Sequence, residues 1–304
     1  MTSPHHANAR HASHQPGRAC AVALTIAGAA LWGTTGTSQA LLPGHPSPVA
    51  VGGLRALIAG TALLVLALFR GTSRLRQVFG RGRLGWLALA GLGVASYQLT
   101  FFAAVSRAGV AVGTLVMLAT APAVAGLAGW GRTGIRPSRA WLVATLVGLS
   151  GAALLVLGAG SVASPDAVGL ALAVAAGGFF ATYTVASREL VVEGLDPIAL
   201  TASIFLVAGA ILIGPVLGQD LSFVSQPRSL WVLAWLGLAA TAGAYMLYQL
   251  GMRQVDAAQA ATFALAEPMV ANLLAVLVLR EPFTAVMGLG LVLVLAGLGL
   301  LGRA

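Results

Sequence analysis

Two residues that are charged in water, Glu267 and Arg55, fall inside long apolar stretches, and they are the first candidates for polar chemistry there. A charged side chain at the centre of an apolar helix costs roughly 2.5–3.5 kcal/mol on insertion scales, so Glu267 is expected to face protein or a cavity rather than lipid. As an anion it can hold the ammonium of a small solute. As a titrating group it can couple solute movement to a proton. As a hydrogen-bonded acid next to Pro268 it can be purely structural. Arg55 lies seven residues from the start of its apolar stretch, roughly 10 Å at the rise of a helix. It can meet a carboxylate, but an arginine at that depth can also snorkel to the interface, and the structural role is the favoured reading.

Uncharged polar and aromatic residues supply a second group of candidates: Trp32, Gln98, Thr120, Tyr183, Tyr245, Tyr248 and Gln249. An amphiphilic pocket needs a few such groups to fix orientation in apolar surroundings, although each aromatic also suits an interfacial anchor. Tyr245, Tyr248 and Gln249 are spaced by three and four, which puts them on one helix face. Pro122 and Pro268 each remove a backbone donor in mid-stretch. They are expected to kink their helices, to free the carbonyls of Leu118 and Ala264, and to line a central cavity.

Other chemistries find little support. Gly148-Leu149-Ser150-Gly151 matches a pattern used by intramembrane serine proteases, but a nucleophilic serine needs a base within reach. All five histidines lie in the amino-terminal tail or, for His45, in a short gap. The tail residues His5, His6, His11 and His14 can bind a metal, but a solvated tail is the favoured reading, and no metal site or cofactor is expected. There is no Gly-rich phosphate loop ending in Lys-Ser or Lys-Thr, so the chain alone does not hydrolyse ATP. A lone Cys20 cannot form an internal disulfide.

The elements that must position these residues follow from composition. With 58% hydrophobic and 8% charged residues among 304, and 39 glycines, the chain lacks the polar surface of a soluble domain. A membrane helix needs about 20 apolar residues, and ten such spans can be drawn. They are Cys20–Leu41, Pro48–Phe69, Leu84–Val105, Val110–Trp130, Ala140–Leu157, Ala167–Ser187, Pro197–Leu217, Leu230–Leu250, Ala257–Leu279 and Phe283–Leu301. The short gap at Arg107 makes the third and fourth antiparallel neighbours. All 17 cationic residues are arginine. They are scattered in gaps rather than clustered with aromatics, which argues against nucleic acid. Alternate gaps hold thirteen arginines on the amino-terminal side against three (Arg107, Arg228 and Arg280) on the other. That bias predicts both termini in the cytoplasm. The first apolar run is too long for a signal-peptide core, so none is expected.

Sliding the chain against itself by 146 residues places Arg107 on Arg253, Pro122 on Pro268, Val124 on Val270, Gly151 on Gly297 and Leu154 on Leu300. Five spans per unit is an odd number, so the second unit enters from the opposite side. Such inverted repeats are typical of secondary transporters with a midplane site. The expected fold class is an all-α membrane protein of ten transmembrane helices in two inverted five-helix repeats. The expected divisions are a disordered cytoplasmic tail over 1–18 and repeats over 19–158 and 159–304.

The stretch Ala264-Leu265-Ala266-Glu267-Pro268-Met269-Val270-Ala271, then Leu279-Arg280-Glu281-Pro282-Phe283-Thr284 with Gly290 and Gly297, resembles the drug/metabolite transporter superfamily, specifically proteins with paired EamA domains. Leu31-Trp32-Gly33 and Leu54-Arg55-Ala56 match as well. The position equivalent to Glu281 in the first repeat is Ile135, where many relatives keep a carboxylate. The resemblance implies a secondary transporter exporting small metabolites such as amino acids or related amphiphilic compounds by alternating access, and the lysine-free composition, rich in Ala, Gly, Leu and Arg, points to a bacterial source and so to the inner membrane. Its partners would be the lipid bilayer and a small-molecule substrate, with proton coupling an open role of Glu267 and the oligomeric state undetermined. A non-transporting membrane scaffold and an intramembrane enzyme are the alternatives.

Overall fold

Backbone N–H and C=O groups in hydrocarbon must be satisfied within the segment that carries them, which leaves helices as the solution for apolar stretches of this length. The computed structural model describes residues 17–160 and 166–303. The histidine-rich tail, with His5, His6, His11 and His14, lies outside those residues. Among the described residues ten helices are long and apolar enough to cross a membrane. They are α1 Arg18–Ala40, α2 Pro48–Phe69, α3 Leu84–Val110, α4 Val112–Thr133, α5 Arg139–Gly158, α6 Ala167–Val192, α7 Pro197–Leu217, α8 Pro227–Gly251, α9 Ala257–Val278 and α10 Ala285–Arg303. The expected spans are all present, with ends shifted by up to five residues. The largest extensions, five residues each, are at the ends of α6 and of α3, where the chain turns at Gly109 (φ 79°, ψ 156°), a conformation that needs glycine.

Polar residues at the boundaries start the helices. Ser47, Ser138, Asp166, Asp196 and Asp256 cap α2, α5, α6, α7 and α9 by accepting backbone N–H groups of the first turn. Asp166 also accepts Arg107 Nη2 at 2.6 Å. That hydrogen bond, and the one from the Gly169 N–H, hold its carboxyl below the usual carboxylate range.

Three of the ten helices are interrupted. In α1 the helical run ends at Trp32 and resumes at Thr34. In α8, residues Trp235–Gly243 are wound as a π-helix, with Thr241 Oγ1 bonded to Leu236 O at 2.7 Å. In α9 the helix stops at Phe263 and restarts at Ala266. The two prolines therefore differ. Pro268 follows a tightened turn at Ala264 (φ −60°, ψ −16°) and Leu265 (φ −61°, ψ −12°), where the backbone stays right-handed but the α-helical ladder lapses, whereas α4 runs past Pro122 with no such turn. The Ala264 carbonyl is not left free either, because the Glu267 N–H donates to it at 2.9 Å.

The two halves pack as an inverted pair. Helices α5 and α10 cross so closely that a Cβ on Gly151 would lie 2.6 Å from Gly290 O, and one on Gly297 would lie 2.8 Å from Ala144 O. A shift of 146 carries Gly151 to Gly297 and Ala144 to Gly290, so the two contacts exchange with each other. That exchange is what a pseudo-twofold axis through the pair requires. The α2–α7 and α1–α8 pairs complete the framework, with α6 packed along α3 and α4.

Charges at the ends of the helices sort by face. On the arginine-rich face Arg74 meets Asp196 at 2.8 Å, Arg83 meets Glu193 at 2.6 Å and Arg132 meets Glu189 at 2.9 Å. Arg70 reaches Asp196 at 3.7 Å. Each pair joins the first repeat to the end of α6 or to the short loop between α6 and α7. The Arg107–Asp166 pair lies on the opposite face, so each of the five ion pairs among the described residues joins helix ends or gaps that the alternation of spans puts on one side.

Candidate functional site

The three interrupted helices meet at a cavity of about 510 Å³ between the repeats. At mid-depth its wall holds Trp32, Arg55, Tyr97, Phe180, Tyr245 and Glu267. It then continues to Ala40, Pro48, Val110 and Ala159 at the arginine-poor ends of their helices, where all four residues are exposed. The cavity thus opens towards the arginine-poor face. Below it, towards the other face, Tyr183, Tyr248 and Leu190 are fully buried, and the cross-repeat ion pairs lie beyond them.

Arg55 is held inside the protein. Only 6% of it is exposed, so it does not snorkel. Its Nη2 donates to Gln98 Oε1 at 2.9 Å and its Nη1 to Thr35 Oγ1 at 3.3 Å. Gln98 is fixed in turn by donating to Gly52 O at 3.0 Å. Glu267 comes from the first turn of the second half of α9, at the positive end of that helix dipole. Its backbone carbonyl packs against Gly33, where a Cβ would approach it to 2.6 Å, so the α1 break and the α9 break lie in contact. Arg55 and Glu267 share the cavity wall but form no ion pair with each other; the five pairs among the described residues are all at the helix ends.

Aromatic rings form the rest of the mid-depth wall. Trp32 packs edge-on to Tyr245 at 5.0 Å and to Phe180 at 5.7 Å between ring centroids, and Tyr97 stacks on Phe101 at 5.5 Å. Three donor atoms of wall residues have no acceptor: Trp32 Nε1, Gln39 Nε2 and Arg55 Nε. A buried donor left without a partner costs free energy, and these three leave room for an acceptor from a bound solute.

Of the residues singled out from sequence, Trp32, Arg55, Tyr245, Glu267 and Pro268 come together on this wall. Gln98 stands behind Arg55. Tyr183, Tyr248 and Gln249 are fully buried beneath the cavity and do not line it, although the shared face with Tyr245 is real. Thr120 also lies off the wall. Its Oγ1 bonds Val116 O at 2.8 Å, and its side chain fills the space over Gly177 of α6. Pro122 is likewise off the wall, because α4 passes it as regular helix and turns Thr114, Met117 and Leu118 to the cavity instead. Ser150 bonds Leu146 O at 2.9 Å on an exposed face of α5, while Gly148 and Gly151 pack on α10.

Several wall residues escaped the sequence reading: Thr35, Gln39, Tyr97, Phe180 and Asn272. A signal existed for two of them. Thr35 and Gln39 are four apart in an unusually polar part of a span. Asn272 donates to Pro268 O at 2.8 Å and so sits one turn beyond the proline.

Ten membrane helices in two inverted halves around an interior cavity define a membrane transport protein. The chain belongs to the EamA-like transporter family, whose model matches twice, over residues 19–157 and 167–303. It is 37% identical over 276 residues to the "Uncharacterized transporter YwfM" of Bacillus subtilis (strain 168), which covers 90% of each chain. A solved crystal structure superposes with a TM-score of 0.78 over 93% of this chain and 96% of the other. At 22% identity that likeness concerns the fold.

Proposed function

We propose that the protein is a secondary transporter of small zwitterionic metabolites, such as amino acids or related amphiphilic compounds. The observation that carries this reading is a cation and an anion on one cavity wall, each unpaired with the other, with aromatic rings between and around them. A solute carrying both an ammonium and a carboxylate satisfies Glu267 and Arg55 at once. A solute carrying one of them leaves the opposite charge buried and uncompensated, which is costly. The carboxylate of the solute also supplies the acceptor that Arg55 Nε and Gln39 Nε2 lack.

The arginine-rich face is the cytoplasmic one in this reading, with both termini inside and the protein in the bacterial inner membrane. The direction is export, an expectation that rests on the family resemblance. Glu267 is also the group through which a proton gradient would act, by exchanging the solute ammonium for a proton. No cofactor and no catalytic step are required.

The test is counterflow in liposomes loaded with leucine, with and without a pH gradient. 4-Methylpentanoate lacks the ammonium, and isoamylamine lacks the carboxylate. Leucine exchanges and the two truncated solutes do not. Equal exchange of all three would remove the zwitterion reading, and exchange of none would favour a scaffold.

A further inference from the structure

The groups around Arg55 have a second copy in the other repeat. A shift of 146 carries Leu54-Arg55-Ala56 onto Leu200-Thr201-Ala202. A shift of 151 carries Tyr97-Gln98-Leu99 onto Tyr248-Gln249-Leu250. A shift of 148 carries Trp32-Gly33-Thr34-Thr35 onto Phe180-Ala181-Thr182-Tyr183, and takes Gln39 to Ser187. The shifts differ because the connections between helices differ in length, while the register within each helix is constant.

The contacts repeat as well. Arg55 of α2 donates to Gln98 Oε1 of α3 at 2.9 Å, and Thr201 Oγ1 of α7 lies 3.1 Å from Gln249 Oε1 of α8, sharing its proton between that oxygen and Pro197 O at 2.7 Å. Tyr183 has Ser187 and Gln249 as polar neighbours. One copy borders the open cavity. The other is sealed, with Tyr183, Ser187, Thr201 and Gln249 all at 0% exposure. Within it the Tyr183 hydroxyl, Ser187 Oγ and Gln249 Nε2 lie against one another, yet none of them makes a well-formed hydrogen bond. Buried polar groups are normally paired. Three contiguous exceptions fit groups whose partner arrives in a different conformation. In an inverted repeat, reversal of the carrier exchanges the surroundings of the two halves.

We propose that Tyr183, Ser187, Thr201 and Gln249 form a second solute subsite, which opens to the arginine-rich face when the carrier reverses. It takes the carboxylate of the same zwitterionic solute through hydroxyl and amide donors. The inference rests on the transport reading above. Because Thr201 stands where the first copy has Arg55, the carboxylate meets no charge there. Neutral hydrogen bonds are about half as strong as charge-assisted ones, so half-saturation by leucine occurs at a higher concentration from the arginine-rich face than from the other.

The experiment compares leucine uptake by right-side-out and everted vesicles carrying the full-length protein. Gln249→Leu raises the half-saturating concentration about 3- to 10-fold from the arginine-rich face, and changes it less than twofold from the opposite face. An equal change from both faces, or none from either, overturns the proposal. A second measurement does not depend on how well that variant folds. In a Cys20→Ser background, which has no other thiol, Ser187→Cys is offered a membrane-impermeant thiosulfonate. It reacts from the arginine-rich face, and faster when leucine is exchanging. Reaction from the opposite face, or none during leucine exchange, also overturns it. Absence of leucine transport by the unmodified protein is a different result, because that outcome strikes the transport reading itself.

Discussion

Glu267 owes its position to a chain of local causes. The helix stops at Phe263, the Glu267 N–H closes a turn onto Ala264 O, and the carboxylate emerges at the positive end of the following helical half. Glu267→Gln keeps the size and a hydrogen-bonding head but removes both the charge and the titration. Leucine counterflow by this variant falls at least about tenfold, the loss expected when a partner of a buried charge is removed, while the protein still inserts and runs as a single species in detergent. Wild-type exchange by Glu267→Gln would end its role in the site. Arg55 depends on geometry as much as on charge, since it donates to Gln98 and Thr35 from two nitrogens of one planar group. Arg55→Lys keeps the charge and loses that fork. It weakens leucine half-saturation more than it lowers the melting temperature, and the reverse order would make Arg55 structural.

At the scale of elements, the breaks in α1, α8 and α9 and the close crossing of α5 with α10 do different work. The interruptions bring side chains to the cavity. Trp235 of the π-helical segment also donates to Thr34 Oγ1 at 3.0 Å, which ties the α8 anomaly to the α1 break. The α5–α10 crossing carries no cavity polar group and fixes the halves to each other through backbone contact. Gly297→Val adds carbons where Ala144 O and the Gly148 backbone already lie within about 3 Å of the Cβ position. Such overpacking costs about 1–3 kcal/mol, read as a lower unfolding temperature in detergent. Gly299→Ala, with open space at its Cβ position, leaves that temperature unchanged.

Over the whole molecule, charge breaks the symmetry that the repeat would impose. Glu189, Glu193 and Asp196, at and between the ends of α6 and α7, each hold an arginine of the first repeat. The loop between α1 and α2, which is the inverted equivalent, carries His45 and no acid. The face with the cross-repeat pairs to Glu189, Glu193 and Asp196 is the closed one, and the cavity opens at the other, where Arg107 pairs with Asp166. Asp196→Asn keeps the helix cap and loses the partner of Arg70 and Arg74. Partly exposed pairs contribute about 0.2–1 kcal/mol, so labelling of the Ser187→Cys reporter from the arginine-rich face speeds up by at most about fivefold. An unchanged rate would deny these pairs any part in closing that face.

Ten helices, inverted halves, the sorting of arginine to one face and two intramembrane charges can be read from the chain alone. All of these follow from hydropathy, parity and the cost of burying a charge, which are local properties of a chain in lipid. Trp32, Tyr245 and Pro268, singled out by residue type and spacing, lie on the cavity wall. The tertiary structure decided which polar residues reach the cavity. A helix face is defined by spacing, but its target depends on which neighbour it meets, so Tyr248 and Gln249 share a face with Tyr245 and still lie sealed beneath it. Equivalent prolines behave differently because Pro268 follows a tightened turn that Pro122 lacks. The second polar cluster stayed hidden for a related reason: loops of unequal length shift its helices by 146, 148 and 151 residues, and only packing brings those registers together.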